Sequence, residues 1–332
     1  MISFLKIVKK IVFFAIVVIF FFFLFSRGVV YDKKDLEYGV TFSKKQAEDL
    51  NLDWKKLYDA IFVDLGVKKI RLAAYWDEVQ KEEGQYNWED LDWQIERASE
   101  AGAEIILAAG VRLPRWPECH IPDWTENLEQ TKKNEKTLSY IEAVINRYKD
   151  KKNITAWQIE NEPFLSHFGE CPPLDKNFLD QEIALVKKLD SRPIVVTDSG
   201  ELSVWVQAAS RADIFGTTMY RDTYSKTLEK YIHYPIAPGF FRFKKNLTRF
   251  FAHPQKWIVI ELQGEPWGPK FLKELSQEEK DRTMDINKFT DILEFSRLAG
   301  FKEFYLWGVE WWYWEKEING NDKFWEEARW IF

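Results

Sequence analysis

Two glutamates stand at the ends of short apolar segments and have the side chain that acid and nucleophilic chemistry requires. Glu162 follows the apolar residues of ITAWQIENEP, and Glu261 follows those of WIVIELQGEP. A pair of carboxyl groups can act as a proton donor and as a nucleophile or base, which is what cleavage of a glycosidic bond needs. A carboxylate after an apolar segment is costly to bury unless it is paired or functional. The pair therefore indicates a site that cleaves glycosidic bonds.

The elements that carry these glutamates alternate between apolar and amphipathic segments after residue 35. This pattern is typical of βα units around a parallel sheet. The predicted strands are Tyr38–Phe42, Ile70–Ala74, Ile105–Val111, Ile154–Ile159, Ile194–Thr197, Ile214–Met219, Trp257–Leu262 and Phe304–Trp307. The main predicted helices are Leu52–Leu65, Leu91–Ala101, Thr137–Tyr148, Asp180–Leu189 and Thr283–Ala299. Eight such units favour a closed (β/α)8 TIM barrel, and no strand is followed by the Gly-x-Gly-x-x-Gly of a dinucleotide fold.

The length of the chain fits one such barrel. The sequence has 332 residues, of which 46% are hydrophobic, and a barrel of this type takes about 250. No low-complexity linker follows residue 35, so residues 36–332 are predicted to form a single catalytic domain. Gly66, Gly102 and Gly300 each follow a predicted helix and precede a strand, where a left-handed helix cap favours glycine.

The placement of the two glutamates resembles clan A of the glycoside hydrolases, the retaining TIM-barrel enzymes. In that clan an Asn-Glu pair ends strand four and a second Glu ends strand seven, and Asn161-Glu162 and Glu261 match these positions. The resemblance covers residues 36–332. It implies that Glu162 is the acid/base, that Glu261 is the nucleophile, and that β-linked glycans are cleaved by double displacement with no cofactor.

The resemblance extends to four further residues with expected roles in binding substrate or orienting the nucleophile. Arg71 resembles the clan arginine beside the nucleophile, and Asn161 the residue that binds the sugar 2-hydroxyl. Tyr220 resembles the tyrosine that orients the nucleophile, and Trp307 the tryptophan at the floor of the sugar site. Cellulase-like members usually carry a histidine two residues before that tyrosine, where this chain has Thr218. This difference leaves the family within the clan open.

Other side chains near the predicted barrel mouth are alternative candidates. Glu201 and Glu265 could compete for a catalytic role, and Glu310 is a candidate substrate contact. Of the many tryptophans, Trp116 and Trp267 are the best candidates for sugar-stacking platforms. Each of these two neighbours a proline that restricts its loop.

Cys119 and Cys171 are the only cysteines in the sequence. In an exported protein two cysteines favour a disulfide, here between the loops after strands three and four. Free thiols and a zinc site with His120 and His167 are the alternatives, although no Cys-x-x-Cys spacing supports zinc.

The N-terminal residues 1–35 differ from the rest of the chain. Three lysines precede the uncharged segment Ile11–Phe25, which is followed by Ser26-Arg27-Gly28. The segment is predicted to be an uncleaved transmembrane signal-anchor or, alternatively, a cleaved secretory signal with a poor cleavage site. Either reading places the catalytic domain outside the cytoplasm, because the basic residues favour a cytoplasmic N-terminus.

The charge of the chain limits its partners. The net charge of the whole chain is −6, although residues 1–35 carry a net charge of +4. The predicted barrel is therefore acidic, which disfavours nucleic acid as a partner. The basic cluster Arg242–Lys245 is expected to be a solvated helix face. The expected function is a retaining hydrolase of oligo- or polysaccharides without metal or cofactor. A membrane-tethered transglycosidase and a barrel that binds envelope polysaccharide without cleaving it remain the alternatives.

Overall fold

The structure, a computed structural model, describes residues 8–14, 16–17, 19–20, 23, 30–165, 168–172 and 175–332. Its strands are β1 (Glu37–Thr41), β2 (Lys69–Ala73), β3 (Glu104–Ala109), β4 (Ile154–Ile159), β5 (Ile194–Asp198), β6 (Ile214–Met219), β7 (Asp222–Ser225), β8 (Lys230–His233), β9 (Lys256–Gln263) and β10 (Glu303–Trp307). Eight of them form a closed parallel barrel in the order β1-β10-β9-β6-β5-β4-β3-β2. The predicted (β/α)8 barrel is therefore confirmed.

Helices connect the strands and cover the outside of the barrel. The α-helices are Lys44–Asp49, Trp54–Val63, Trp76–Val79, Glu89–Glu100, Gln130–Tyr148, Lys176–Leu189, Val206–Ala209, Pro238–Thr248, Gln277–Thr283, Ile286–Arg297, Val309–Asn319 and Lys323–Arg329. The barrel strands are buried on both faces, which explains why they appear in the sequence as nearly continuous apolar segments. A cluster inside the barrel is separate from the larger core between strands and helices and consists of Ile106, Ala156, Val195, Ile258, Ile260 and Tyr305.

The predicted elements agree closely with the structure where a strong local signal exists. Gly66, Gly102 and Gly300 have φ angles of 76°, 66° and 82°, so each adopts the left-handed conformation expected at these helix ends. The predicted helix Thr283–Ala299 is wrong at its start. One helix ends at Thr283 and the next, Ile286–Arg297, begins after Asp285. The Asp285 side chain caps this second helix by accepting a hydrogen bond from the Lys288 amide at 2.8 Å.

Two features of the long segment between β6 and β9 differ from the sequence analysis. The antiparallel hairpin of β7 and β8 was not predicted. The cluster Arg242–Lys245 is not a solvated face: Lys244 Nζ donates to the carbonyls of Gly200 and Ser203, and Lys245 Nζ to that of Gly300. Burial lowers the pKa of both lysines to about 8. The lysines therefore tie this helix to neighbouring loops.

The predicted membrane segment Ile11–Phe25 lies partly outside the described residues. In the part of the chain that the structure does describe, no helix combines the length and the apolar character needed to span a bilayer. The N-terminal assignment stays a prediction.

Candidate active site

Arg71 lies among the residues predicted to do chemistry and connects the strands that carry them. It projects from β2, is fully buried, and its Nη1 donates to Glu261 Oε1 at 2.8 Å. Its Nη2 donates to Asn161 Oδ1 at 2.6 Å, and its Nε donates to Gln158 Oε1 at 2.8 Å. All five guanidinium hydrogens point in a fixed fork, so this set of bonds fixes the relative positions of β2, β4 and β9.

The Glu261 carboxylate is held at both oxygens. Arg71 contacts Oε1, and the Tyr220 hydroxyl donates to Oε2 at 3.0 Å. Glu261 lies within β9 and is only 3% exposed, whereas Tyr220 follows the end of β6. The structure thus brings together Arg71, Tyr220 and Glu261 as the sequence predicted. A carboxylate fixed in this way cannot rotate freely, as a nucleophile aimed at one carbon requires.

Glu162 is positioned by an unusual backbone at the end of β4. Glu160 and Glu162 have φ angles of 57° and 42°, in the left-handed region that non-glycine residues rarely adopt. The Glu162 amide donates to Thr197 Oγ1 on β5 at 2.7 Å, and the Asn161 amide donates to the Arg112 carbonyl at 2.6 Å. Strained residues of this kind persist where the surrounding structure holds them, often at functional sites.

The environment of Glu162 favours its protonated form. Burial, and after it the charge of Glu261, raises the pKa of Glu162 well above the usual value, and Glu118 and Asp198 add to this effect. The Glu162 Oε1 atom is buried and accepts no hydrogen bond from any residue that the structure describes. A protonated carboxyl with one free oxygen is suited to donate a proton to a bound substrate.

Glu118 is a third carboxyl group at this site, and the sequence analysis missed it. It is 5% exposed, lies in the loop after β3, and its Oε2 accepts a hydrogen bond from Asn161 Nδ2 at 3.2 Å. Burial, together with the charge of Glu261, raises the pKa of Glu118 to about 8. The available sequence signal was its position beside Cys119, which pins this loop.

Glu160 is the other buried carboxyl group that the sequence analysis passed over. It accepts hydrogen bonds from the amides of Val111 and Arg112 at 2.7 and 2.6 Å, and it is hydrogen-bonded to Glu182. Burial raises the pKa of Glu160 to about 7 and that of Glu182 well above its usual value. The two amide bonds hold the loop after β3 against the end of β4, and the contact with Glu182 ties that end to the helix Lys176–Leu189.

Glu201 and Glu265, the alternative catalytic candidates, are engaged elsewhere. Glu201 Oε1 accepts a hydrogen bond from the Tyr220 amide at 2.8 Å, and burial raises the pKa of Glu201 to about 7. Glu265 Oε1 accepts a hydrogen bond from Trp307 Nε1 at 2.7 Å and forms an ion pair with Arg115. Arg115 also pairs with Glu310 and lies 4.0 Å from the centre of the Trp307 ring. The predicted floor residue Trp307 is therefore surrounded by charged groups.

A row of aromatic side chains leads from the nucleophile towards the surface. Tyr220 packs against Trp267, Trp267 against Phe168, and Phe168 against Trp116, with ring centres 5.2, 5.6 and 6.5 Å apart. Trp116 is 41% exposed, and the Lys226 amine lies 4.0 Å from its ring centre. Trp116 and Trp267 therefore have the placement expected of sugar platforms. Three other tryptophans that follow barrel strands are buried in the core instead, namely Trp76, Trp311 and Trp312.

Cys119 and Cys171 are joined by a disulfide that connects the loops after β3 and β4. His120, one of the alternative zinc ligands, has its Nε2 within 3.2 Å of the Arg115 carbonyl, and His167 lies outside the described residues. Within the described ranges, no group of three or more His, Cys, Asp or Glu side chains could hold a metal ion.

Part of the chain is similar in sequence to known glycosidases. Residues 50–192 match the model of the glycoside hydrolase 42 family, which is described as beta-galactosidase. The beta-galactosidase BgaA of Clostridium cellulovorans is 28% identical over 178 residues, which cover 47% of this chain. The chain spans about a quarter of that protein, since the match covers 27% of it. The family match includes Arg71 and Glu162 but ends before Glu261.

Solved structures share the barrel over most of the chain. An endo-beta-1,4-xylanase from Gloeophyllum trabeum aligns with a TM-score of 0.56 at 15% identity and covers 82% of this chain and 84% of its own. The exo-beta-1,4-mannosidase Op5Man5 of an Opitutaceae bacterium aligns with a TM-score of 0.58 at 14% identity and covers 89% and 59%. At these identities the likeness shows the fold.

Proposed function

Because the chain belongs to clan A of the TIM-barrel glycoside hydrolases, we propose that it is a retaining glycosidase with Glu162 as acid/base and Glu261 as nucleophile. The observation that carries these roles is the difference between the two carboxyl groups. Glu261 is held at both oxygens by Arg71 and Tyr220, whereas Glu162 keeps one buried oxygen without a partner among the described residues.

The first half of the reaction forms a covalent intermediate. The Glu261 carboxylate attacks the anomeric carbon while the bond from that carbon to the leaving oxygen breaks. Glu162 gives its proton to the leaving oxygen, which departs as an alcohol. The buried surroundings support this step, because the raised pKa of Glu162 keeps the proton on the acid until the leaving oxygen takes it.

The second half regenerates the enzyme. Formation of the ester removes the negative charge of Glu261, and that charge is one cause of the raised pKa of Glu162. Glu162 then becomes a better base at the stage where it must take a proton from water. The activated water attacks the anomeric carbon, the ester bond breaks, and Glu261 leaves as a carboxylate. Two inversions give retention of configuration.

Asn161 is proposed to bind the sugar 2-hydroxyl. Its Oδ1 accepts hydrogen bonds from Arg71, Gln158 and Thr197, which fixes the orientation of the amide. The Nδ2 group must then face away from these donors, towards Glu118 and the substrate side. A β-galactoside is the first substrate to test, since the family model described as beta-galactosidase matches residues 50–192, which include β2 to β4.

We further propose that the enzyme acts outside the cytoplasm, tethered by the segment Ile11–Phe25. The disulfide between Cys119 and Cys171 supports an oxidising compartment, because such bonds are rare in the cytosol.

The test is turnover by the purified protein on para-nitrophenyl β-glycosides of galactose, glucose, mannose and xylose. At least one should be hydrolysed, and Glu261→Gln should lose roughly 10⁴-fold or more of that activity. Lys69→Met is the matched control, because Lys69 lies in an ion cluster with Glu104 and Glu303 near the starts of the strands. An inert wild type, or an active Glu261→Gln protein, would contradict the proposed function.

A further inference from the structure

The end of the barrel opposite the active-site mouth exposes large apolar side chains. The barrel strands are parallel, so their amino ends lie together at this end and their carboxyl ends form the mouth. Phe250 and Phe251 follow the helix Pro238–Thr248 and precede β9, and their exposed fractions are 67% and 65%. Leu247, in the last turn of that helix, is also exposed. Lys245 fixes this turn at the amino ends, because its Nζ donates to a carbonyl of the loop that leads into β10.

A second apolar group lies at the same end of the barrel, beside β2. Val63 is the last residue of the helix Trp54–Val63, which precedes β2, and it is 76% exposed. Trp330 is 88% exposed. The residues next to these two, Asp64 and Arg329, form an ion pair, which holds both apolar side chains in one part of the surface. Single exposed apolar side chains are ordinary, whereas groups of them mark contact surfaces for proteins or membranes.

The N-terminal tail meets the barrel between these two groups. The Glu37 amide at the start of β1 donates to the Lys302 carbonyl at 2.8 Å, and the Lys302 amine lies 5.1 Å from the centre of the Tyr31 ring. Lys302 directly precedes β10. In the barrel order, β1 and β10 lie between β2, which comes after Val63, and β9, which comes after Phe251. Residue 31 is therefore held at the same end of the barrel as both apolar groups.

The connection from the barrel to the proposed membrane anchor is short. Only residues 26–30 separate Phe25, the last residue of the apolar segment, from Tyr31. A fully extended chain spans at most about 3.3–3.6 Å for each residue, so Tyr31 cannot lie more than roughly 20 Å from the end of that segment. A bilayer that holds the segment is therefore always within reach of the amino ends of the strands.

We propose that the amino end of the barrel rests on the lipid bilayer, with Phe250, Phe251, Val63 and Trp330 in contact with the lipid, so that the active-site mouth faces away from the membrane. This inference rests on the membrane anchor of the proposed function and adds a second contact with the same bilayer. Aromatic side chains are favoured where lipid meets water. A site oriented in this way takes glycans that lie beyond the membrane surface, and it turns away from the headgroups of lipids in its own membrane.

The charges beside the tail do not select a particular lipid. Lys33 and Lys34 are exposed, and so are Asp32 and Asp35 on either side of them. Opposite charges this close together largely cancel for a lipid headgroup at a distance. The contact therefore depends on the apolar side chains, and a neutral lipid is sufficient to test it.

The test uses the full chain in vesicles of phosphatidylcholine. Because the two native cysteines are joined in a disulfide, Phe251→Cys provides a single thiol for a nitroxide label. Phe271→Cys is the matched control, since Phe271 is 62% exposed and follows β9 at the mouth end. Collisions of the label with a water-soluble nickel chelate should be at least about threefold rarer at position 251 than at position 271, because lipid excludes the chelate. A label introduced by Trp330→Cys should be shielded like the label at position 251.

Each failure has its own signature. Equal access of the chelate to positions 251 and 271 in vesicle-bound protein would overturn the inference. Spectral broadening at position 251 that disappears on dilution with unlabelled protein would also overturn it, because a second copy of the chain would then cover this surface. Full-length protein that does not stay with the vesicles would contradict the anchor itself, and the inference with it. Hydrolysis of the para-nitrophenyl glycosides is measured separately, so the catalytic part of the proposed function fails or stands on its own.

Discussion

Arg71 and Glu261 form an ion pair of 2.8 Å in which the side chains are 0% and 4% exposed. Removing one partner of a buried pair leaves the other charge uncompensated, which typically costs about 3–5 kcal/mol. The same pair holds a carboxylate at the place where a nucleophile is needed. Stability and function therefore depend on the same contact.

Arg71→Met should lower kcat more than it raises KM. Without the bond from Arg71 Nη1, one oxygen of the Glu261 carboxylate is no longer held, so the nucleophile is less often aimed at the anomeric carbon. Arg71→Lys is the matched control, since it keeps the positive charge while losing the fork, and it should lose less activity than Arg71→Met. An Arg71→Met enzyme with the wild-type kcat would show that this arginine does not act on the nucleophile.

Glu118 should make the folded state less stable as the pH rises. Its pKa is about 8 in the folded protein against an ordinary value of 4.5. Between these two values the unfolded chain releases the proton while the folded protein keeps it, so the free energy of unfolding falls as pH increases. Below pH 4.5 Glu118 is protonated in both states and does not make the free energy of unfolding depend on pH. Above pH 8 it is ionised in both states, and the decrease in the free energy of unfolding is complete.

Glu118→Gln should remove this loss, because glutamine can still accept the hydrogen bond from Asn161. At about 1.4 kcal/mol for each unit of pKa, the gain in unfolding free energy at pH 8 should reach a few kcal/mol. Denaturant unfolding at pH 4.5 and pH 8 measures it, and the exposed Glu135→Gln is the control. Equal gains at both pH values would contradict the predicted titration.

Trp116 should contribute to binding of the leaving group. It ends the aromatic row that begins at Tyr220, and its ring is partly exposed. Trp116→Ala should raise KM for an oligosaccharide by up to roughly tenfold, since an aromatic contact is worth about 0.5–1.5 kcal/mol. Turnover of a para-nitrophenyl glycoside by Trp116→Ala should change little. The control is Trp330→Ala, at an 88% exposed position, which should change neither the KM for the oligosaccharide nor the turnover of the para-nitrophenyl glycoside. An equal loss of activity on the oligosaccharide and on the para-nitrophenyl glycoside would show that Trp116 does not bind the leaving group.

The sequence predicted the barrel well because its strands are buried on both faces and so appear as short apolar runs. The contacts of Glu261 with Arg71 and Tyr220 agree with what the resemblance to clan A implied. Glu118 could not be found in this way, since its position depends on the path of a loop with no periodic pattern. Glu160 is similar: its partner Glu182 lies on a helix, and no local signal connects the two.

The N-terminal segment remains a prediction with a direct test. Full-length protein should fractionate with membranes and resist extraction by salt or carbonate, because Ile11–Phe25 is apolar and poorly suited to cleavage. Soluble protein with a mature N-terminus at Val29 would contradict the predicted membrane anchor and would leave the predicted export unaffected.

Azide rescue of two variants tests the assignment of the two glutamates most directly. In Glu261→Gly, azide should attack from the vacated side and give a glycosyl azide of inverted configuration. In Glu162→Ala, azide should attack the glycosyl-enzyme and give a product of retained configuration, with activity kept on substrates whose leaving groups need no proton. The same anomer from both variants would contradict the assignment of Glu261 as nucleophile and Glu162 as acid/base.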